Sequence, residues 1–252
     1  MQKIQIIILA AGHGKRMQSE LHKVLIPLHG KPLIAHVLSA IKESGVCDSP
    51  IIVVGQQREL VMKTLRDMGN NYRYAIQEEQ LGTGHAVMAA QEMLENKADH
   101  VVVLYGDHPF ISSATIQKLV KKHLDSNHKI TMATVKLPDF EDWREVFYAN
   151  FSRIIRDANG NIINDVQFKD ASEEEKKVTE VNPCYFCFEA SWLWEKLRIL
   201  KTDNTQKEYY LTDLIKIATK EGIKIESIEI EPHEALGANT KEELNILEKL
   251  VV

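Results

Sequence analysis

Residues 4–27 read IQIIILAAGHGKRMQSELHKVLIP, and the rest of the chain is organised around them. Ile4 to Ala10 is an apolar run broken only by Gln5. A run of that length without alternation reads as a central strand buried on both faces. Gly12 and Gly14 then bracket His13, and the cations Lys15, Arg16 and Lys23 follow. Glycine lets the chain turn at positive φ and lets backbone N–H groups approach an anion. A buried strand, a glycine turn and a cationic cluster together read as a phosphate cradle. Two familiar phosphate loops fail on spacing. A Walker A loop needs glycine where Leu9 stands, and a dinucleotide fingerprint needs glycine at Met17. Taken alone, Gly12-His13-Gly14 fits a plain tight turn as well as a phosphate site.

Outward from this stretch the pattern alternates between strand and helix. Helices are expected from about Leu33 to Gly45, Arg58 to Met68, Thr83 to Leu94 and Ser112 or Ser113 to Leu124. Strands are expected at Ile51–Val54, Tyr72–Gln77, Val101–Tyr105 and Ile130–Val135. Such alternation implies a largely parallel sheet with helices on both faces. Ligands bind such sheets at the carboxyl ends of the strands, where Gly12, Gln77 and Asp107 fall. Leu137 to Asn150 reads as an excursion or lid. Asn159-Gly160 signals a hairpin within Arg153 to Phe168. Val181 to Phe188 reads as one strand. Helices over Trp192–Leu200, Tyr210–Ala218 and Lys241–Val251, with a strand at Ile223–Ile230, complete the chain.

The 252 residues carry a net charge of −5, with 44% hydrophobic and 27% charged residues. That is a globular composition, and it argues against a nucleic-acid binder. No apolar run is long enough for a membrane span, and Ile4 to Ala11 is too short for a signal-peptide core. A cytoplasmic protein is expected. Cys47, Cys184 and Cys187 are too few and odd in number for a disulfide framework. Cys184-Tyr-Phe-Cys187 has C-x-x-C spacing but no second pair to complete a zinc site, so buried thiols are expected.

LAAGHGKRM, with Lys23 following, resembles the signature of sugar-nucleotidyltransferases, L-x-x-G-x-G-T-x-M with a later Pro-Lys. QEEQLGTGHA, Gln77 to Ala86, is similar to the nucleotide-base loop of N-acetylglucosamine-1-phosphate uridylyltransferases. The likeness continues in order through YGD (Tyr105 to Asp107), EYYLTD (Glu208 to Asp213) and GAN (Gly237 to Asn239). It implies an α/β, Rossmann-like three-layer nucleotidyltransferase fold with a mixed, mostly parallel central sheet. The chain is then a single nucleotidyltransferase domain, 1–252. Its nucleotide-binding half is about 1–136 and its sugar-binding half about 137–252. The hexapeptide repeats of the family's β-helix acetyltransferase domain are not seen in this sequence, so acetyl transfer is not expected, and nothing in the sequence fixes an oligomeric state.

The implied reaction joins UTP to a sugar-1-phosphate, giving a UDP-sugar and pyrophosphate, with Mg2+ as cofactor. The sugar implied first is N-acetylglucosamine-1-phosphate. Another sugar-1-phosphate such as glucose-1-phosphate, or a non-catalytic sugar-nucleotide sensor, are the alternatives. By resemblance Leu9, Ala10, Ala11, Gly12 and Lys23 contact nucleotide, and Arg16 stabilises charge at the transferring phosphate. Gln77, Gly82 and Thr83 read the base, for which an amide offers both donor and acceptor. His85 is expected to be structural. Asp107 and Asn239 are the implied metal ligands; Asp107 also suits a cap for the next helix, and Asn239 a cap for the last one. The sugar falls to Tyr105, Gly106, Ser152, Gln167 and Asn182.

Departures from the family cluster on the sugar side. Lys15 and His22 stand for Thr and Pro in the opening signature, which keeps or adds positive charge. Asn150-Phe151-Ser152-Arg153 stands for Gly-Tyr-Gly-Arg, Gln167 for Glu, and Asn182-Pro183-Cys184 for Asn-Thr-Gly. The exchange at Gln167 removes a charge, and charge-assisted hydrogen bonds are roughly twice as strong as neutral ones.

Overall fold

The computed structural model describes residues 2–12, 17, 19, 21–69, 71–126 and 128–250. Lys15 and Arg16, two of the three cations singled out in the opening stretch, lie outside the described residues.

Twelve strands occur among the described residues. They are β1 (Ile4–Ala10), β2 (Pro27–Leu28), β3 (Lys31–Pro32), β4 (Ile51–Val54), β5 (Arg73–Ile76), β6 (His100–Tyr105), β7 (Ile130–Lys136), β8 (Ser152–Arg156), β9 (Ile162–Val166), β10 (Glu180–Asn182), β11 (Phe186–Glu189) and β12 (Glu226–Glu229). β2 and β3 form a small hairpin. The other ten make one mixed sheet in the order β5-β4-β1-β6-β11-β7-β10-β8-β9, with β12 parallel to β7. β5, β4, β1 and β6 run parallel to one another. β11 is antiparallel to both β6 and β7 and lies between them. The expected three-layer α/β architecture is therefore present.

The continuous apolar run of β1 has a direct cause. Ile6, Ile8 and Ala10 enter one core, with Leu33, Val37 and Ile41 of the helix Leu33–Ser44 and Ile116 and Leu119 of the helix Ser113–Ser126. Ile7 and Leu9 enter the other, with Val87, Leu193, Leu197 and Leu214. Alternate residues of the strand face opposite ways, and here both faces are covered.

Three expectations are corrected. The helix expected to span Thr83 to Leu94 is two short ones, Thr83–Met88 and Gln91–Leu94. The single strand expected over Val181–Phe188 is broken into β10 and β11. Pro183 lacks an N–H for pairing, and Cys184 sits at φ 63°, a left-handed value that ends an extended strand. Both pieces run antiparallel to β7, and the break lets β10 pair with β8 while β11 pairs with β6. The helix expected from Tyr210 begins at Asp213.

The excursion after β7 is packed against the body of the fold. It holds a 3-10 turn, Asp142–Glu145, and a short helix, Val146–Asn150. Arg153 pins it. Its fully buried guanidinium lies 4.8 Å from the Phe140 ring centroid, 5.6 Å from Tyr148 and 5.4 Å from Phe168. It also donates to the carbonyls of Tyr148 (2.5 Å) and Phe151 (2.6 Å). Cation–π contacts and carbonyl oxygens here offset the loss of water around the charge.

Candidate active site

The registers place the ligand edge. Ala10 pairs with Val54, Val54 with Ile76, and Leu9 with Tyr105. The residues that follow these strand ends, Ala11, Gln77 and Gly106-Asp107, therefore emerge level at one edge of the sheet. β1 lies between β4 and β6, so the chain crosses to opposite sides from it, and the crevice opens there. A cavity of about 410 Å³ occupies this position, within the usual range for a small-molecule site.

Leu9, Ala10, Ala11, Gly12, Lys23, Gln77, Gly82, Thr83, Tyr105, Asp107, Ser152, Gln167, Asn182 and Asn239 all line it. Gly106 does not; a Cβ there would meet Val24 and Ala10 on the core side. Among the described residues, a Cβ on Gly12 would meet nothing within 4 Å. Val24, Gln80, Ala86, His108, Asn150, Phe151, Pro183, Cys184 and Glu208 also line it and were not among the candidate site residues. Asn150 and Phe151 could have been found from the shifted Gly-Tyr-Gly-Arg segment. Gln80 and Glu208 lie inside QEEQLGTGHA and EYYLTD, but the likeness of those segments gave neither side chain a role.

One end of the cavity is electrostatic. The Lys23 ammonium forms an ion pair with Asp107 Oδ2 and donates to Asn239 Oδ1 at 2.5 Å. Burial pushes the Asp107 carboxyl up, but Lys23 and His108 more than offset it, and it stays below the usual carboxylate range. The competing roles are filled by other residues. Ser112 Oγ accepts from Thr115 N–H and caps its helix. Thr240 Oγ1 accepts from Glu243 N–H and caps the last helix. Asp107 and Asn239 are thereby left to face the cavity. The Glu243 carboxylate positions Asn239 by accepting from its N–H, and also accepts from Asn150 Nδ2 at 2.9 Å. His108 is buried, which lowers its pKa to about 4, so it is neutral at pH 7. Tyr185 spends its hydroxyl proton on the Glu234 carbonyl, so His108 Nδ1 donates to Tyr185 across 2.9 Å.

Two oxygens that converge on one cation, from one carboxylate and one neutral amide, suit a hard divalent ion that fills its shell with phosphate and water oxygens. The Lys23 ammonium, held by both, is the observation that supports this fit. Among the described residues no group of three or more His, Cys, Asp or Glu side chains could form a metal cage.

The opposite wall holds Gln77. Its Nε2 donates to the Gly82 carbonyl (3.1 Å) and to His85 Nδ1 (3.2 Å). His85 thus orients Gln77, in keeping with a structural role. Gln77 Oε1 accepts no hydrogen bond among the described residues. Gly82 is required by the protein itself: it sits at φ 109°, and a Cβ would come within 2.7 Å of the Tyr209 carbonyl. Thr83 does not cap its helix. Its Oγ1 accepts from Leu211 N–H at 3.0 Å, which locks the EYYLTD segment against the base loop.

The third wall comes from the far end of the sheet. Ser152 pairs with Asn182, and Arg153 with Val166, so Ser152, Asn182 and Gln167 stand side by side across three strands. Gln167 Nε2 donates to Thr212 Oγ1 at 3.1 Å. Cys184 is half-buried and lines this wall, in contrast to the expected inert burial; Cys187 is fully buried. A non-glycine residue held at positive φ costs on the order of 1 kcal/mol or more and signals a functional constraint.

A MobA-like NTP transferase domain matches residues 6–209. Bifunctional protein GlmU from Caldicellulosiruptor saccharolyticus is 39% identical over 249 residues, covering 98% of this chain and 52% of that protein. GlmU from Enterococcus faecalis is also 39% identical, over 100% of this chain and 52% of its own length. The chain thus spans about half the length of these relatives. Among solved structures, a protein assigned as a glucose-1-phosphate thymidylyltransferase from Bacillus anthracis superposes with a TM-score of 0.77 at 20% identity, covering 98% of this chain and 94% of that one. CMP:2-keto-3-deoxy-manno-octonic acid synthetase complexed with CTP gives 0.72 at 17% identity, covering 99% and 98%. These two share the fold. The chain belongs to the MobA-like NTP transferase domain family, and it is a nucleotidyltransferase domain.

Proposed function

We propose that the protein transfers the uridylyl group of UTP to a sugar-1-phosphate, releasing pyrophosphate. The observation that carries this reading is the single cavity edge on which Gln77, Lys23, Asp107 and Asn239 converge. Residues 1–136 would supply most of the nucleotide wall and residues 137–252 most of the sugar wall.

A sugar-1-phosphate is a competent nucleophile without activation, because the second ionisation of a phosphate monoester falls near about pH 6. Its oxygen attacks the α-phosphorus of UTP, and pyrophosphate leaves in line. The main obstacle is repulsion between anions, so the protein's task is alignment and positive charge. Lys23 places an ammonium at the phosphate end, and Gly12 leaves room for the triphosphate beside its backbone N–H. Arg16 is assigned the same electrostatic task on the strength of the sequence. Asp107 and Asn239 would hold Mg2+, which supplies Lewis-acid polarisation of the phosphate when bound. Gln77 Oε1 would accept from uracil N3–H, a donor that cytosine lacks.

N-acetylglucosamine-1-phosphate heads the candidate sugars because the chain resembles enzymes that use it. Glucose-1-phosphate or another hexose-1-phosphate is favoured by one observation, the altered wall of Ser152, Gln167 and Cys184. The test is pyrophosphate release with UTP and Mg2+ across a panel of sugar-1-phosphates. Release with at least one sugar is expected. No release with any sugar or triphosphate would leave a sugar-nucleotide sensor as the better reading.

A further inference from the structure

Behind the sugar wall stands a carboxylate that the reaction above does not use. Asp165 lies on β9, 2% exposed. Asn182 Nδ2 donates to Asp165 Oδ2, while Asn182 Oδ1 accepts from the backbone N–H of Cys184 at 2.6 Å. The amide cannot flip: the Cys184 N–H on one side demands its oxygen, which leaves its nitrogen to donate to Asp165. Asp165, Asn182 and the Cys184 backbone therefore form a rigid strut. At the end of the strut Cys184 holds φ 63°, a conformation that favours glycine. That backbone turns the Cys184 side chain to the cavity, beside Tyr105. Strained conformations of this kind persist only where the surroundings over-determine them.

Two further polar atoms stand on this wall. Asp165 Oδ1 and Ser152 Oγ are buried, and neither meets a hydrogen-bond partner in good geometry. The Ser152 hydroxyl is close enough to lower the Asp165 pKa, so a rotation of that hydroxyl pairs the two and leaves serine lone pairs toward the cavity. Ser152 and Cys184 both line the cavity on this side.

We propose that Cys184 is a specificity-determining residue whose side chain limits the size of the sugar admitted, and that Asp165, acting through Asn182, is the positioning residue that keeps it in the pocket. The proposal rests on the reading of this wall as the sugar site. In physical terms a glycine at 184 would adopt the same backbone without strain and would leave the space open. A thiol in that space makes contact with a compact sugar and collides with a bulkier substituent at the same place.

The test is calorimetric binding of UDP-glucose, UDP-N-acetylglucosamine and UTP to the full chain, which reads the pocket whether or not turnover occurs. Cys184→Gly is expected to shift the ratio of the two UDP-sugar affinities by about tenfold toward the bulkier N-acetylglucosamine form, the usual scale for small steric changes in a pocket. Asp165→Ala is expected to weaken both UDP-sugars several-fold with UTP unchanged. Asp165→Asn, which keeps an acceptor for Asn182, is expected to bind as the wild type does. A ratio within about twofold of wild type in Cys184→Gly overturns the proposal. So does an Asp165→Ala protein, folded by circular dichroism, in which UTP weakens as much as the sugars. Absence of UDP-sugar binding to both wild type and Cys184→Gly also overturns it. Intact binding and discrimination without pyrophosphate release would instead refute only the proposed reaction.

Discussion

Lys23 and Asn239 lie 216 positions apart, yet the Lys23 ammonium donates to Asn239 Oδ1 at 2.5 Å while it pairs with Asp107. The lysine thus binds the same two oxygens that are assigned to the divalent cation, and neutralises the one that is charged. Lys23→Met removes that charge and leaves the Asp107 carboxylate largely buried without a partner. Breaking a buried pair by removing one partner destabilises by about 3–5 kcal/mol. The variant is expected to melt below wild type without metal and to regain most of the difference in millimolar Mg2+. Thermal melts with and without Mg2+ check this; equal Mg2+ shifts in both proteins would count against a shared site. Its kcat is expected to fall by about 10² to 10³, the usual cost of losing a preorganised charge.

Asp107→Ala separates catalysis from simple binding. Turnover should disappear, while UTP still binds through Gln77 and the glycine loop. Steady-state rates together with equilibrium UTP binding test the split. A variant that keeps more than about a tenth of wild-type turnover would remove Asp107 from the assigned role, since metal-dependent phosphoryl chemistry loses several kcal/mol without its ligand.

Gln77→Ala should narrow the preference for UTP over CTP by about tenfold, because a good hydrogen-bond pair contributes about 1–3 kcal/mol to base discrimination. Competition between the two triphosphates reads this directly. Unchanged discrimination would assign base reading elsewhere.

Much of this site is written locally in the sequence. Ile4–Ala10 announces a central strand because, Gln5 apart, neither face carries polar residues, and Gln77 and Asp107 follow strands whose ends the pattern locates well. Other features depend on contacts between distant segments. Cys184 reads as a strand residue, and only Asn182 and Asp165 together reveal why it turns left-handed. Glycine at 82 reads as room for a ligand, whereas in the fold it makes room for the backbone of Tyr209. Arg153 reads only as the last residue of the segment that stands for Gly-Tyr-Gly-Arg, and in the fold it is enclosed by Phe140, Tyr148 and Phe168. Aromatic residues spread over 29 positions gave no local sign of that cage.

Gly82→Ala combines a left-handed φ with a Cβ placed 2.7 Å from the Tyr209 carbonyl. Each fault costs on the order of 1–3 kcal/mol. The protein should lose at least about 2 kcal/mol in chemical denaturation and bind UTP more weakly, as the Tyr209 segment is pushed off the base loop. A neutral substitution would mean that this loop relaxes freely.

Asp165 provides a pH prediction. Burial raises its pKa to about 7, with Asp213 adding to the rise and Ser152, Asn182 and Lys216 opposing it. The unfolded value is about 3.9. Between these values the folded state holds a proton that the unfolded state has lost, so stability from this group falls as pH rises from about 4 to about 7 and is level above that. Asp165→Asn has no such titration. Its stability relative to wild type should therefore grow across that window, by at most on the order of 3–4 kcal/mol. Denaturation at pH 4.5, 6 and 7.5 checks the trend; a difference independent of pH would show that Asp165 is ionised throughout.

Transfer of a nucleotidyl group is assigned to the edge shared by Gln77, Lys23, Asp107 and Asn239. Following the label of α-³²P-UTP in the presence of Mg2+ and a panel of sugar-1-phosphates tests it most directly. The label should pass into a UDP-sugar with one pyrophosphate released for each product molecule, and Asp107→Ala should abolish both. Label that stays in UTP with every sugar, or that appears as UMP, would contradict the account.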